Sequence, residues 1–398
     1  MNRRAITGVA LVAAVALAAP ATSRAQPAHL APGDVARGAI EAEPPEIILL
    51  TFGIGERIFE KFGHAALCLH YHQPEHADIC FNYGVTDFSA GAAMVWNFLR
   101  GKQKFWVEPT TLASMQSFYQ WEDRDIWRQR LPITGDDARG VEAKLWSDIR
   151  EDNRYYYYDH FRDNCATRVR DIIDQATHGA LRRLSDIPYP RTFRELGRRG
   201  LAGMPSLLVL SDLVTGRELD QQMTRWQAMF HPGLLRGEVA TRLSAVPVAV
   251  YTRRGPQFPI RGSSGRLDFL AIAVALALPL FVARAMRRHE TAALAVIATA
   301  LALLGAVVWG AAIVSAIPAV RYNEAALVVM PLDAVLPFLR PAWRRRYARV
   351  RLAILAGITV LGIAGMVRQP LWILVLIVVL PMLTIAFDLP HGRATRPA

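Results

Sequence analysis

Tyr155-Tyr156-Tyr157-Tyr158-Asp159-His160-Phe161-Arg162-Asp163-Asn164-Cys165-Ala166-Thr167-Arg168 is the stretch that decides how this chain is read. Its thiol stands alone in an Asn-Cys-Ala-Thr phrase that opens a helix over 165–175. Val169, Ile172 and Ile173 fall on one face of that helix, and Asp163 or Asn164 supplies the cap. The four tyrosines ahead of it read as core and hairpin packing before they read as a substrate platform. Upstream stands Phe62-Gly63-His64-Ala65-Ala66-Leu67, a histidine opening an apolar strand. A thiolate is a far stronger nucleophile than a thiol. A helix N-terminus with an imidazole nearby is how proteins make one near neutral pH, so a lowered thiol pKa is expected here. Alone, Cys165 reads equally as an inert buried cysteine, and His64 reads as a satisfied core histidine before it reads as catalytic. Together they read as a catalytic pair.

The strand from His64 to Tyr71 has its expected partner in Ile79–Tyr83, and Ile47 to Phe52 is an earlier strand ended by Gly53 and Gly55. If His64, Ala66, Cys68 and His70 share one face, Cys80, Asn82 and Gly84 share it from the partner strand. Asn82 is therefore the expected orienter of the His64 ring, with Asp87 as second choice. Asp163, Asn164, Thr167 and Arg168 surround the thiol and are the expected supporting or substrate-binding residues. Cys68 and Cys80 lie symmetrically about His72–His76. They either form a disulfide across a hairpin or stay as two buried thiols, and in both cases Cys165 is left over. His70, His72 and His76 have the spacing of a polar loop, and no cysteine or carboxylate set completes a site, so no metal and no cofactor is expected. Helices are expected over 89–99, 110–121 and 136–153, and a strand over 125–131.

The chain has 398 residues, is 52% hydrophobic and carries a formal net charge of +12. The apolar residues concentrate after residue 266. Many arginines flank apolar spans there, which argues for membrane topology and against nucleic-acid binding. Residues 1–25 read as a secretory signal: Arg3 and Arg4, an apolar core from Ala5 to Ala19, and Ser23-Arg24-Ala25 as cleavage site. An uncleaved anchor is the other reading, and either one exports the domain after it. Residues 26–45 read as a proline-containing linker, 46–255 as an exported α+β domain, 266–390 as an all-α membrane domain and 391–398 as a cytoplasmic tail. Five spans are expected, at about 267–285, 291–317, 324–339, 352–367 and 371–389. The third, with Pro331 and Pro337, reads alternatively as a broken helix lining a cavity. Arg284, Arg287 and Arg288, then Arg340, Arg344, Arg345, Arg346, Arg349 and Arg351, then Arg393 and Arg396 fall in alternate loops. The opposite loops hold Arg321 and Arg368. This asymmetry puts the Cys165 domain outside the cytoplasm, and the multiple helical spans argue for a multi-pass protein of the bacterial inner membrane.

Residues Glu46–Arg100, with Glu-Ile-Ile-Leu-Leu-Thr, Phe-Gly-His-Ala-Ala-Leu, Phe-Asn-Tyr-Gly-Val-Thr-Asp-Phe and Phe-Leu-Arg-Gly, and residues 153–171 around Cys165 resemble the periplasmic domain of the Lnb family of bacterial lipoprotein N-acyltransferases. The resemblance covers roughly residues 46–240, with Trp226–Leu234 a weaker match, and the membrane half resembles the family in its Asn323-Glu324 and Pro331-Leu332 phrases. It implies a circularly permuted papain-like fold of the NlpC and lecithin-retinol-acyltransferase kind, with His64 and Cys165 as the catalytic pair. Cys68 and Cys80 depart from the family pattern, and the alanine-rich membrane half matches loosely.

Three functions are weighed. The first is an acyltransferase: Cys165 takes an acyl chain from a membrane phospholipid as a thioester and passes it to the N-terminal amine of an apolipoprotein. The second is a membrane-tethered papain-like thiol hydrolase, a peptidase or amidase of the cell envelope, with water as acceptor. The third is an envelope scaffold with an idle thiol. The membrane spans favour the first, because both of its substrates reside in the membrane.

Overall fold

The computed structural model describes residues 43–73, 76–258, 266–286 and 288–387. The expected signal segment, most of the linker, Arg287 and the C-terminal tail lie outside them. The chain divides into two compact units. The first comprises residues up to Leu201 and Gln222–Ile260; the second comprises Ala202–Gln221 and the residues from Arg261 on. The segment 202–221 thus leaves the expected 46–255 domain and clusters with the C-terminal helices.

The first unit is α+β, built on a seven-stranded antiparallel sheet. Its strands are β1 (Glu46–Phe52), β2 (His64–His70), β3 (Ile79–Val85), β4 (Lys104–Thr111), β5 (Ile126–Arg130), β6 (Tyr155–Tyr157) and β9 (Val248–Tyr251), in the order β6-β4-β3-β2-β1-β5-β9. β7 (Pro188–Thr192) and β8 (Gln222–Thr224) form a separate ribbon. The central strands β1 and β2 are buried on both faces, so they read as continuous apolar runs. Alternation then sorts their side chains. Ile47, Leu49, Ala65, Leu67, Phe81 and Tyr83 build one core, under helices α3 (Gly135–Asp148), α4 (Cys165–Ala176) and α8 (Pro232–Leu243). Ile48, Leu50, Phe52, Ala66, Cys68 and Cys80 build the other, under α2 (Leu112–Trp121). Burying each such leucine, isoleucine or phenylalanine contributes roughly 1.5–3 kcal/mol. The remaining helices of this unit are α1 (Gly91–Leu99), α5 (Phe193–Gly200) and α7 (Arg225–Ala228).

Cys68 lies directly opposite Cys80 in the β2–β3 register, and the two form a disulfide. The expected helix over 110–121 starts at Leu112, because residues 104–111 are strand β4. Lys-Phe-Trp-Val-Glu-Pro-Thr-Thr alternates exposure and burial, and Thr111 is the helix N-cap, accepting from Ser114 N. The expected helix over 136–153 runs from Gly135 to Asp148.

The second unit contains α6 (Pro205–Val214), α9 (Arg266–Ala285), α10 (Glu290–Val314), α11 (Pro318–Arg321), α12 (Ala325–Val328), a 3-10 segment (Pro331–Phe338), α13 (Pro341–Ile363) and α14 (Trp372–Ala386). Among the described residues, α9 and α10 are the two helices long and apolar enough to cross a membrane. The third expected span is not one helix. Pro331 and Pro337 lack the N–H a helix needs, and the chain there breaks into α12 and the 3-10 segment. That segment lies directly on α10: a Cβ on Gly305 would sit 2.6 Å from Pro331 N. The fourth expected span is the second half of α13, whose first half carries Arg344, Arg345, Arg346, Arg349 and Arg351. The fifth is the 15-residue α14.

Polar groups buried in this apolar unit are tied down. Asn323 donates to Leu213 O (2.7 Å) and accepts from Ala325 N (3.0 Å). The Glu324 carboxylate accepts from the N–H groups of Arg368 and Gln369, both at 2.8 Å. Gln369 donates to Thr215 O (2.9 Å). Asp333, fully buried, accepts from Tyr347 (2.7 Å) and from Arg351 Nε and Nη2 (3.1 Å each).

Candidate active site

Gly63 sets where the histidine begins its strand. Its φ is +80°, and a Cβ there would come 2.6 Å from Phe52 O, so only glycine fits the turn into β2. His64 and Asn82 then share the sheet face that carries the Cys68–Cys80 disulfide, and His64 Nε2 lies 2.6 Å from Asn82 Oδ1. An amide oxygen only accepts, so Nε2 carries the proton and donates, which leaves Nδ1 as an acceptor. Asp87 lies elsewhere: exposed, it accepts from Ser89 N (2.8 Å) and caps the turn before α1. The second-choice orienter is thus occupied in a local cap, because an Asp two residues before a backbone N–H satisfies it more cheaply than a distant ring.

Cys165 is the first residue of α4, and the residues around it hold that helix start. Asn164 is the N-cap, accepting from Thr167 N (2.9 Å) and donating to His160 O (2.7 Å) and Phe230 O (3.0 Å). The Thr167 hydroxyl returns the bond by accepting from Asn164 N (2.7 Å), completing a capping box. Asp163 takes a two-pronged bond from Arg168, at 2.7 and 2.9 Å. The Arg168 guanidinium in turn lies 3.7 Å from the centre of the Tyr156 ring. These four residues act through the positions of Cys165 and Tyr156.

Thiol, imidazole and phenol converge on Gly84, at the bulge of β3 where φ is +95°. A Cβ at Gly84 would meet Cys165 Cβ at 3.7 Å, the Tyr156 hydroxyl at 3.8 Å and His64 Cε1 at 4.0 Å. Glycine is needed there for its positive φ, and the three groups crowd the same small space. His64 and Cys165 are not hydrogen bonded in this structure; they share that space only. The Tyr156 oxygen is buried and has no hydrogen-bond partner among the described residues; the Gly84 amide approaches it without reaching hydrogen-bond geometry.

Electrostatics depart from the expected thiolate. Burial pushes the Cys165 thiol up from 9.0 to about 11. The N–H groups of Ala65, Ala166 and Cys165 itself, followed by the Arg124 charge, oppose this and lose. Burial lowers His64 from 6.5 to about 4, helped by Arg124 and opposed by the Asn82 hydrogen bond. The helix N-terminus is present as expected, but desolvation outweighs it. At neutral pH the pair rests as neutral thiol and neutral imidazole. Burial also raises the Tyr156 hydroxyl well above its ordinary value, so it stays a donor.

Three contributors escaped the sequence. Tyr156 was one of four tyrosines with nothing to single it out, and only the β4–β6 pairing, with Phe105 opposite Tyr156, turns it inward. Arg124 is buried, donates through Nε to Gly53 O (3.0 Å) and stands 4.7 Å from the Tyr119 ring centre, while its Nη2 is buried without a partner among the described residues. Ala65 contributes a backbone N–H, which no sequence pattern reports. Among the described residues no cluster of three or more His, Cys, Asp or Glu could hold a metal ion. His70 is engaged instead with Asp78, at 2.8 Å.

A family model described as the Lnb N-terminal periplasmic domain matches residues 34–199, the span that contains His64, Asn82, Tyr156 and Cys165. No curated protein and no solved structure matches the chain.

Proposed function

We propose a function for a chain whose residues 34–199 belong to the Lnb N-terminal periplasmic domain family: it moves an acyl chain from a membrane phospholipid, through a thioester on Cys165, to the N-terminal amine of an apolipoprotein. The observation that carries this reading is the convergence of Cys165, His64 and Tyr156 on Gly84, with His64 Nε2 held 2.6 Å from Asn82 Oδ1. A helix-borne thiol beside a strand-borne histidine, histidine first in the chain, supports a permuted papain-like arrangement. The apolar helices α9 and α10 support a place in the inner membrane with the thiol domain on the periplasmic side.

The neutral pair sets the mechanism. As Sγ attacks the ester carbonyl, His64 Nδ1 takes its proton, so thiolate forms only as the C–S bond does. The Cys165 N–H and the Tyr156 O–H donate to the oxyanion. Collapse breaks the ester C–O bond, and the leaving alcohol takes the proton from His64. The lipoprotein amine then attacks the thioester, His64 removes its proton, and the departing sulfur recovers that proton as the amide forms. Asn82 keeps the ring in the tautomer both steps need.

The test is intact mass of the full-length protein from membranes, with and without hydroxylamine. One acyl chain on Cys165, removed by hydroxylamine and absent from Cys165→Ala, is expected. Transfer of labelled acyl chain by Cys165→Ala would overturn the mechanism. Release of the chain to water at the same rate with and without an amine acceptor would make the protein a hydrolase.

A further inference from the structure

Helix α1 has the composition of a segment that lies on a bilayer. Residues 88–99, Phe-Ser-Ala-Gly-Ala-Ala-Met-Val-Trp-Asn-Phe-Leu, carry no charge. The next five residues contain Arg100, Lys102 and Lys104, and no acidic residue occurs between Asp87 and Glu108. The helix buries Met94 and turns Gly91, Ala92, Val95 and Trp96 outward, with Val95 52% and Trp96 50% exposed. Tyr155 and Tyr157, exposed on β6 at the end of the sheet, extend the apolar surface. The cations stand over these rings: Arg100 Cζ is 5.9 Å from the Trp96 ring centre, and Lys104 Nζ is 5.9 Å from that of Tyr155. Aromatic rings with basic groups at their rim suit the boundary between acyl chains and anionic headgroups.

The same helix joins the active-site wall. Phe98 lies 6.1 Å from Tyr158, which stacks on Phe105 at 4.3 Å. Tyr158 is two residues after Tyr156 and seven before Cys165.

We propose that α1, the Arg100–Lys104 run and the exposed tyrosines of β6 form a lipid-docking lip that seats in an anionic membrane surface beside the Cys165 site. Immersion is of the order of 5–10 Å, the depth of an interfacial helix. An ester carbonyl at that depth then reaches the thiol without the whole lipid leaving the bilayer. The proposal deepens the acyl-transfer reading and rests on it for the purpose of the contact, not for the contact itself. A membrane is favoured over a protein partner by the uncharged face of α1 and the three cations that follow it, with Glu151 beside Tyr155 the acidic group at the far edge of the lip.

The experiment uses the full-length chain with Cys165→Ala, in which Cys68 and Cys80 are tied to each other. Val95→Cys is labelled with a nitroxide in phosphatidylcholine–phosphatidylglycerol vesicles. Gln175→Cys, exposed at the far end of α4, is the reference. Collision with oxygen, which concentrates in lipid, is expected to exceed collision with a water-soluble nickel chelate at position 95, and the order to reverse at 175. Removing phosphatidylglycerol should raise nickel access at 95. Equal nickel access at 95 and 175 overturns the proposal, and so does exclusion of both reagents at 95, which would indicate protein contact. Because Cys165 is absent, failure here leaves the thioester result standing, and failure of the thioester leaves this one readable.

Discussion

In the first unit, the Tyr156 hydroxyl, Arg124 Nη2 and His160 Nε2 are among the buried atoms with no partner among the described residues. In the second unit, Asn323, Glu324, Gln369 and Asp333 are bonded, and Arg351 leaves only Nη1 unmatched. A buried polar atom without a partner costs about 1–3 kcal/mol. The first unit leaves further such atoms on Thr51, Thr110 and Gln129; the Tyr156 hydroxyl is the one that shares the Gly84 space with the thiol. Dense satisfaction inside an apolar unit marks an internal fastening. The contrast predicts opposite phenotypes. Changes near Cys165 should lower rate and spare stability, and changes in the second unit should lower stability first.

The largest effect is expected at Asp333. Asp333→Ala strands the buried Arg351 guanidinium and the Tyr347 hydroxyl together, at a cost of about 3–5 kcal/mol. Thermal unfolding of the purified full-length protein in detergent measures it. A variant as stable as the parent would remove the fastening role and with it one side of the comparison.

Tyr156→Phe is the counterpart near the thiol. It deletes a hydroxyl with no partner among the described residues and keeps the ring under Arg168. Loss of one oxyanion donor predicts a fall in kcat of about 10²–10³ with KM unchanged and a melting temperature equal to or above the parent's. Unaltered kcat with lower stability would reassign Tyr156 to the core.

The disulfide sharpens the comparison from a third direction, since it is a fastening on the very face that holds His64 and Asn82. It closes a loop with a sequence separation of 12, and the loop-closure entropy of so short a loop is worth about 3 kcal/mol. Cys68→Ser with Cys80→Ser should lose that stability and still form the thioester on Cys165. Loss of thioester at a temperature where the variant is folded would show that the staple positions the ring.

How much the sequence discloses depends on how local each signal is. The Asn164 cap, the α4 stripe and the strand alternation that brings Asn82 beside His64 and Cys68 opposite Cys80 depend on near neighbours and on period, and they can be read from the chain. Strands β4 and β6 carry no clear period, because Pro109 and the tyrosine run blur alternation, and the inward turn of Tyr156 is not visible in the chain. Arg124 needed the β1–β5 pairing to arrive beside Phe52 and Tyr119. Segment 202–221 reads as one more stretch of the exported domain. Its allegiance to the second unit depends on Asn323 and Gln369, more than 100 residues away. The helix end and the imidazole are local signals, but the depth of burial that raises the thiol against them is not a property of a motif.

The smallest expected effect on rate concerns pH and decides between two versions of the site. With His64 at about 4 and Cys165 at about 11, both groups are neutral between those limits. Single-turnover thioester formation, which involves no amine, should therefore vary by no more than about twofold between pH 6.5 and 9. The window has a physical basis at both ends. His64, His160 and His231 are all held near 4 by burial. Below 6.5 the unfolded chain binds protons that the native one refuses. Stability is thus lost as pH falls from 6.5 toward 4, by up to about 1.4 kcal/mol per pH unit for each histidine. Above 9 the unfolded chain releases the Cys165 proton that the folded one retains, so stability falls there too. Inside the window the protein is folded and the pair is neutral. A preformed thiolate–imidazolium pair would instead lose rate as the imidazolium deprotonates, giving an alkaline limb within the same window. A flat profile makes proton transfer part of carbon–sulfur bond formation; an alkaline limb would mean that the helix end and the Ala65 N–H outweigh burial after all.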